Sequence, residues 1–347
     1  MYLLPTSEQE QIVDAAKAFL AGEAPVERLR PDIVEIGNND HLLWPQLGEL
    51  GFWGLSVPEE AGGVGLSLNE EYLLYREFGR HLVSLGALGL TLGARIAALA
   101  GLTDAAATMI AGNTRVAIAN PRGAAGSSAE GGAGSYHLFE GRGAEWVILW
   151  SEAGAALYPI GAFHIVEDVL AMDSHMTLLR AELEPGAPAA YLDAGVDDIR
   201  LRAFLLIAAY GVGMCEATRD MAVEYAKIRE QFGQPIGKFQ AVKHRCAEMA
   251  IRTEVAYCQA TYAALALSEN LADKRLQVVS AKLLAVDSAL RNGADNIQTH
   301  GAFGFTAEGD AHLYLKRAHT IDFLGGTLRE QKAEVLRQPV ANPQLVD

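Results

Sequence analysis

From Leu201 to Ile297 the apolar residues keep helical spacing in three long stripes. The first runs through Leu201, Phe204, Leu205, Ala208, Val212, Cys215, Met221, Tyr225 and Ile228. The second takes Val242, Cys246, Met249, Thr253, Ala256, Ala260 and Leu267, and the third Leu276, Val279, Leu283, Leu290, Ala294 and Ile297. Residues three and four apart share one helix face, so each stripe predicts an amphipathic helix that must bury that face. Helices this long, joined by short connections, pack as an antiparallel bundle.

The first joint of the bundle reads Arg229-Glu-Gln-Phe-Gly-Gln-Pro-Ile-Gly-Lys-Phe-Gln240. Gly233, Pro235 and Gly237 break the helix there. Arg229 and Phe232 are expected on the last turn before the break, which fixes a guanidinium and an aromatic ring at one corner. Forked guanidinium donors match phosphate oxygens, so the corner suits a diphosphate-bearing cofactor. A salt-bridged arginine beside a core phenylalanine is the competing reading. The third stripe ends in Gln298-Thr-His-Gly-Ala-Phe-Gly-Phe-Thr306. Its glycines let backbone amides approach a ligand closely. Alternatively they cap the helix, with Gly301 in a left-handed conformation.

The chain has 347 residues, enough for two or three domains, and a net charge of −15. That acidity argues against nucleic acid, whose binders need basic patches, and against anionic membrane surfaces. Cys215, Cys246 and Cys258 are odd in number, far apart and set in helical patterns. Without zinc spacing, they read as reduced core thiols of a cytoplasmic protein. The polar start, residues 1–11, does not read as a signal peptide. The most apolar run, Leu82 to Ala100, holds Gly, Ser, Thr and Arg95, and reads as a buried helix rather than a membrane span.

Ahead of the bundle, Thr6-Ser7-Glu8-Gln9 predicts a capped helix. Further helices are expected around 42–50, 68–81 and 83–100. The glycines at 62, 63 and 65 follow Pro58-Glu-Glu rather than a predicted strand, so no phosphate loop is assigned there. Strands are predicted at Val116–Ala119, Trp146–Trp150, Phe163–Val166 and Leu178–Leu183. The glycine-rich Gly123 to Gly134 reads as a flexible loop. The division expected is an N-terminal helical domain, 1–112, a small middle β-domain, 113–196, and a C-terminal helical bundle, 197–347.

Four ordered stretches carry a resemblance. They are Trp44-Pro-Gln-Leu-Gly-Glu-Leu-Gly-Phe-Trp-Gly-Leu-Ser-Val-Pro-Glu-Glu-Ala-Gly-Gly-Val-Gly-Leu66, the Arg229–Gln240 joint, the Gln298–Thr306 stretch and His312-Leu-Tyr-Leu-Lys-Arg-Ala318. Together they resemble the acyl-CoA dehydrogenase family across nearly the whole chain. The resemblance implies a mainly α fold with a reduced middle β-domain and a C-terminal four-helix bundle. It implies an FAD-dependent α,β-dehydrogenation of an acyl-CoA thioester, in which a carboxylate takes the α-proton and hydride leaves the β-carbon for flavin N5. Electrons then pass to an electron-transfer flavoprotein or similar acceptor. By the same resemblance Arg229 meets the flavin diphosphate, Phe232 and Gln240 lie beside the cofactor, and Gln298, Gly301 and Ala302 form a second flavin loop. The family has a second glycine where this chain has Ala302.

Two departures stand against that pattern. The family's base lies in a Tyr-Glu-Gly-Thr-like stretch; here the match is Leu324-Gly325-Gly326-Thr327, with Gly325 in the carboxylate's place. An alternative base position in the family falls at or near Ala203, again without an acid. Loss of a positioned base costs about 10²–10⁴ in rate. Asp322, Glu216 and Glu330 remain as stand-ins or as ordinary paired carboxylates, Asp322 one strand-like step before the loop. In the β-domain, Ala119-Asn-Pro-Arg-Gly-Ala-Ala-Gly-Ser-Ser128 keeps only the Pro and Gly-Ser skeleton of the family's flavin cover. A second flavin strand is absent before Trp146.

By this resemblance, what the chain would use for its own flavin ring and base is lost, while what it would lend to a neighbour's flavin is kept. This asymmetry is similar to that of the shorter, base-lacking subunit in α2β2 steroid-type acyl-CoA dehydrogenases. It predicts a heteromer in which a homologous subunit supplies the base, the FAD is shared, and the substrate is an acyl-CoA with a bulky chain. The other readings are a homo-oligomeric dehydrogenase using Asp322, and a flavin-free structural or CoA-binding protein.

Overall fold

The computed structural model describes residues 4–30, 40–122 and 133–338. The predicted glycine-rich loop, with Gly126 and Ser127 of the flavin-cover skeleton, falls largely at 123–132, outside the described residues. The protein is mainly helical with one seven-stranded sheet. Contacts divide it into two compact units, one of Gln11–Leu74 and His81–Ala203, the other built on Tyr75–Arg80 and the chain from Phe204 onward.

The first helix, α1 (Ser7–Glu23), starts as its sequence predicts. The Thr6 amide donates to Gln9 Oε1 at 3.0 Å, and the Gln9 amide to Thr6 Oγ1 at 3.3 Å, a reciprocal capping box. Next come α2 (Trp44–Glu49), α3 (Leu68–Arg80), α4 (Gly86–Leu99) and α5 (Thr103–Ile110). Of these α5 was not expected. Helix α4 is buried on nearly every face, which explains its continuous apolar run. It lies so close to the sheet that a Cβ on Gly89 would stand 2.1 Å from the Val116 carbonyl oxygen.

The sheet contains β1 (Val116–Pro121), β2 (Gly134–Phe139), β3 (Trp146–Trp150), β4 (Gly154–Pro159), β5 (Phe163–Val169), β6 (Leu178–Leu183) and β7 (Ala190–Asp193). Their order is β5-β6-β2-β1-β3-β4-β7. Strand β1 pairs parallel with β3 and antiparallel with β2. The four-strand expectation is therefore corrected to seven, because β2, β4 and β7 gain stability from cross-strand pairing that local residue type does not show. One face buries Tyr136, Leu138, Val147, Leu149, Tyr158 and Phe163.

The second unit is a bundle of α6 (Ile199–Ile228, entering it at Phe204), α7 (Gln240–Ser268), α8 (Lys274–His300), α9 (Ala311–Phe323) and α10 (Leu328–Arg337). Helix α6 is the one described helix long and apolar enough to cross a membrane, and its apolar window is wholly buried. A Cβ on Gly213 would stand 1.9 Å from the Arg76 carbonyl oxygen, and one on Gly79 the same distance from that of Tyr210. Glycine at both places lets the end of α3 seat against α6. At the bundle centre the Asn292 amide donates to Thr253 Oγ1 at 3.0 Å and to the Met249 carbonyl at 3.2 Å. Buried polar groups cost stability unless bonded, so this knot fixes how α7 and α8 meet.

Candidate functional site

Arg229 does not lie on the last turn of α6. The helix ends at Ile228, and Arg229 leads into a two-stranded hairpin, β8 (Glu230–Gln231) against β9 (Gln234–Pro235). Phe232 and Gly233 form its turn at φ 53° and 75°. Two-residue hairpin loops favour positive φ at both central residues, because that twist matches the strands. Helical periodicity cannot predict this, since Gly233 and Pro235 allow a hairpin as readily as a bare helix stop. The Ile236 amide donates to the Arg229 carbonyl at 2.8 Å and closes the joint.

The turn displays its side chains outward. Phe232 is 92% exposed, and among the described residues its ring meets Phe239 edge-to-face at 6.0 Å. Arg229 is exposed, with no hydrogen bond or ion pair recorded for its guanidinium among the described residues. Gln240, the first residue of α7, is exposed as well. The expected pairing of a salt-bridged arginine with a core phenylalanine is absent.

The second motif reaches the same end of the bundle. Tyr225, on the last turn of α6, stacks on His300, the last residue of α8, with centroids 4.2 Å apart and planes at 28°. His300 Nδ1 lies 2.9 Å from the Asn296 carbonyl oxygen. Burial holds this histidine below its ordinary pKa, with the Asn296 contact opposing. The chain then turns at Gly301 (φ 64°, ψ −140°) into a 3-10 turn, Gly301–Phe305. Gly301 is not left-handed helical, as the capping reading had it. It occupies a region that side chains at Cβ exclude, while a Cβ there would meet open space. Gln298, Gly301 and Ala302 are all exposed.

The corner thus gathers a forked cation, two side-chain amides, a glycine-bent backbone and an exposed ring, all in the unit that holds α6 to α8. That donor set fits a diphosphate carrying an aromatic group. Tyr225 and His300 hold the two motifs together. The sequence carried that signal as an aromatic at the foot of one helix and a histidine at the foot of another.

The position of the family's base is closed. Gly325 takes φ 67°, and a Cβ on it would stand 2.4 Å from Phe204 Cε1. Buried Lys282 donates to the Leu324 and Gly326 carbonyls at 2.5 and 2.8 Å, its ammonium 4.5 Å from the Phe204 ring centroid. Sequence reasoning missed this clamp. Its signal was one lysine inside the apolar run Val278-Val-Ser-Ala-Lys-Leu-Leu284. Ala203, the alternative base position, is buried with no acid.

Each stand-in carboxylate has a structural partner. Asp322 lies in the last turn of α9, not a strand-like step, and its Oδ1 accepts the Leu328 amide at 2.7 Å. The apolar spacing of α9 is masked by His312, Lys316, Arg317 and His319, of which Arg317 is buried. Glu216 accepts from Arg76 at 3.0 Å and from Arg80 at 3.1 Å. Glu330 completes a capping box with Thr327 at the start of α10.

Residues 6–107 match the N-terminal domain of acyl-CoA dehydrogenase, and residues 203–339 its C-terminal domain. Acyl-CoA dehydrogenase IpdE2 of Mycobacterium tuberculosis is 31% identical over 337 residues, covering 97% of each chain. Acyl-CoA dehydrogenase FadE34 of the same organism is 35% identical over 309 residues, which is 85% of this chain but only 42% of that longer protein. Among solved structures, the ChsE4-ChsE5 complex from Mycobacterium tuberculosis superposes with a TM-score of 0.81 at 22% identity, over 99% of this chain and 100% of that one, a likeness of fold. The chain belongs to the acyl-CoA dehydrogenase family.

Proposed function

We propose that this chain is the base-lacking subunit of a heteromeric, FAD-dependent acyl-CoA dehydrogenase. One contrast carries the reading: the base position is filled by Phe204 and clamped by Lys282, while the flavin-contacting corner stands open with Arg229 unsatisfied. In this reading Arg229 donates to the diphosphate, Phe232 packs beside the cofactor, and Gln240, Gln298, Gly301 and Ala302 complete its cradle. The bound flavin supplies hydride acceptance at N5. This chain's own residues bind and orient one end of it and exclude water there. The homologous partner brings the carboxylate that takes the α-proton of an acyl-CoA, with a bulky, steroid-type acyl chain as the substrate class.

An electron-transfer flavoprotein or similar acceptor reoxidises the assembly, which we place in the cytoplasm. The three-part division at about 112 and 196 belongs to the same reading, following the change from helices to strands and back. A homo-oligomeric enzyme based on Asp322 is disfavoured because that carboxylate already accepts the Leu328 amide. A flavin-free structural role leaves the outward display of Arg229 and Phe232 without a purpose.

One experiment separates the three. The chain is purified alone and after co-expression with homologous chains of its own genome, and flavin absorbance is recorded for each species. The proposal expects flavin only in a complex. Flavin held by the lone protein would overturn the heteromer, and flavin in no species would favour the structural reading.

A further inference from the structure

A cavity of about 400 Å³ opens between the end of α6 and the start of α7, on residues that do not include Arg229, Phe232, Gln240 or the Gln298 loop. Val223 and Val242 contribute apolar wall, Cys246 lines it, and three lysines, Lys227, Lys238 and Lys243, surround it. The volume lies within the ~300–1,000 Å³ usual for small-ligand pockets.

Its charge runs against the rest of the molecule. The chain carries −15 overall, yet three lysines and no acid line this cavity. Lys227 pairs with Glu224 at 2.5 Å on the exposed surface. Lys238 and Lys243 have no hydrogen bond or ion pair recorded among the described residues. Lys243 stands in the first turn of α7 and Lys238 just before it, and that turn carries no acid. Helix N-termini favour acidic groups and are locally disfavoured by cations. Two unpaired lysines at a positive helix end cost local stability, and an incoming anion would offset that cost. The apolar walls below them call for a hydrocarbon body on the same molecule.

We propose that this pocket binds a small amphipathic anion, an aliphatic carboxylate whose chain lies along Val223 and Val242 and whose head meets Lys238 and Lys243. The pocket borrows Pro235, Gly237 and Lys238 from the Arg229–Gln240 joint but none of the residues proposed to touch the flavin, so its test does not depend on that reading. The carboxylate accepts from both ammonium groups and offsets one of their two charges, and the chain displaces water from the apolar wall.

The three cysteines supply the test. Cys246 lines the pocket, Cys258 is exposed on the same helix, and Cys215 is buried. The full-length chain, as purified, is treated with iodoacetamide with and without octanoate, and alkylation of each cysteine is followed by mass spectrometry. The expected result is at least a fivefold slowing at Cys246 and none at Cys258. The double variant Lys238→Gln/Lys243→Gln, altered only at exposed side chains, should lose that protection with a melting temperature no lower than that of the unaltered chain. Octanol, with the same chain and no charge, should protect at least tenfold more weakly, and inorganic phosphate, with no chain, not at all. Equal protection by octanol, or protection retained in the double variant, would overturn the anion site. So would an alkylation rate at Cys246 that octanoate leaves unchanged.

Discussion

Two regions of the bundle face opposite ways in energetic terms. The loop Leu324–Thr327 has its polar groups satisfied from within, by Lys282, Gln331 and the Thr327–Glu330 capping box. The Arg229 corner leaves a guanidinium and an aromatic ring to solvent. Both are places where the family resemblance implies cofactor or catalytic residues. In one the chain has settled its own chemistry and shut the space; in the other it has left the bonding capacity unspent. The two places can differ in this way because they draw on different contacts within the bundle.

The sharpest way to break that contrast is to reopen the closed side. Gly325→Glu puts a Cβ into the Phe204 ring on a backbone at positive φ. Overpacking and left-handed strain together should cost about 2–5 kcal/mol, read as a lowered denaturation midpoint, with no dehydrogenase activity gained. A stable, active variant would show that the loop is not sealed. On the open side, the proposed function has Arg229→Ala remove a charge-assisted hydrogen bond to flavin, worth roughly 1.5–3 kcal/mol. Flavin retention by the complex should fall about 10–100-fold, while the melt of the lone chain stays unchanged because the guanidinium has no partner within it.

A smaller effect is expected at Asp322→Ala. Losing the acceptor for the Leu328 amide should lower stability by about 1 kcal/mol and leave turnover of the assembly intact. A fall in turnover of the ~10²–10⁴ typical of a lost base, at unchanged stability, would instead make Asp322 catalytic. The smallest effect concerns pH. Burial lowers the pKa of His300 in the folded chain, and the same holds for His137 and His312. Between that lowered value and the ordinary ~6.5 the unfolded chain binds more protons, so stability rises with pH. The contribution is complete above the unfolded value and is lost as pH falls through the folded one. His300→Gln should flatten the slope of melting temperature against pH between about 5 and 7, and an unchanged slope would place the effect on the other two histidines.

The helical stripes made most of this architecture legible before any coordinates. Leu201 to Ile228 predicted α6, and Thr6 with Gln9 predicted the capping box of α1, because both signals are local. Strand β4 was not legible: it opens Gly154-Ala-Ala, residues of low strand preference, and forms because β3 and β7 pair with its two sides. The missing carboxylate at Gly325 could be read directly. Its replacement by Phe204 could not, since the two meet only when α6 packs beside the loop. The corner was legible in its residue types but not in its geometry. Its hairpin turn rests on Phe232 taking a conformation that its residue type alone disfavours.

That last residue has a thermodynamic consequence. Phe232 spends conformational strain in the free chain to hold its ring outward on a backbone already fixed by the hairpin. A rigidly presented aromatic loses little freedom when a surface closes over it, so its effect falls on how long a complex lasts rather than how fast it forms. In the proposed heteromer, glycine at this position should relieve the strain of the solitary protomer and shorten the lifetime of the complex, two changes of opposite sign from a single side chain.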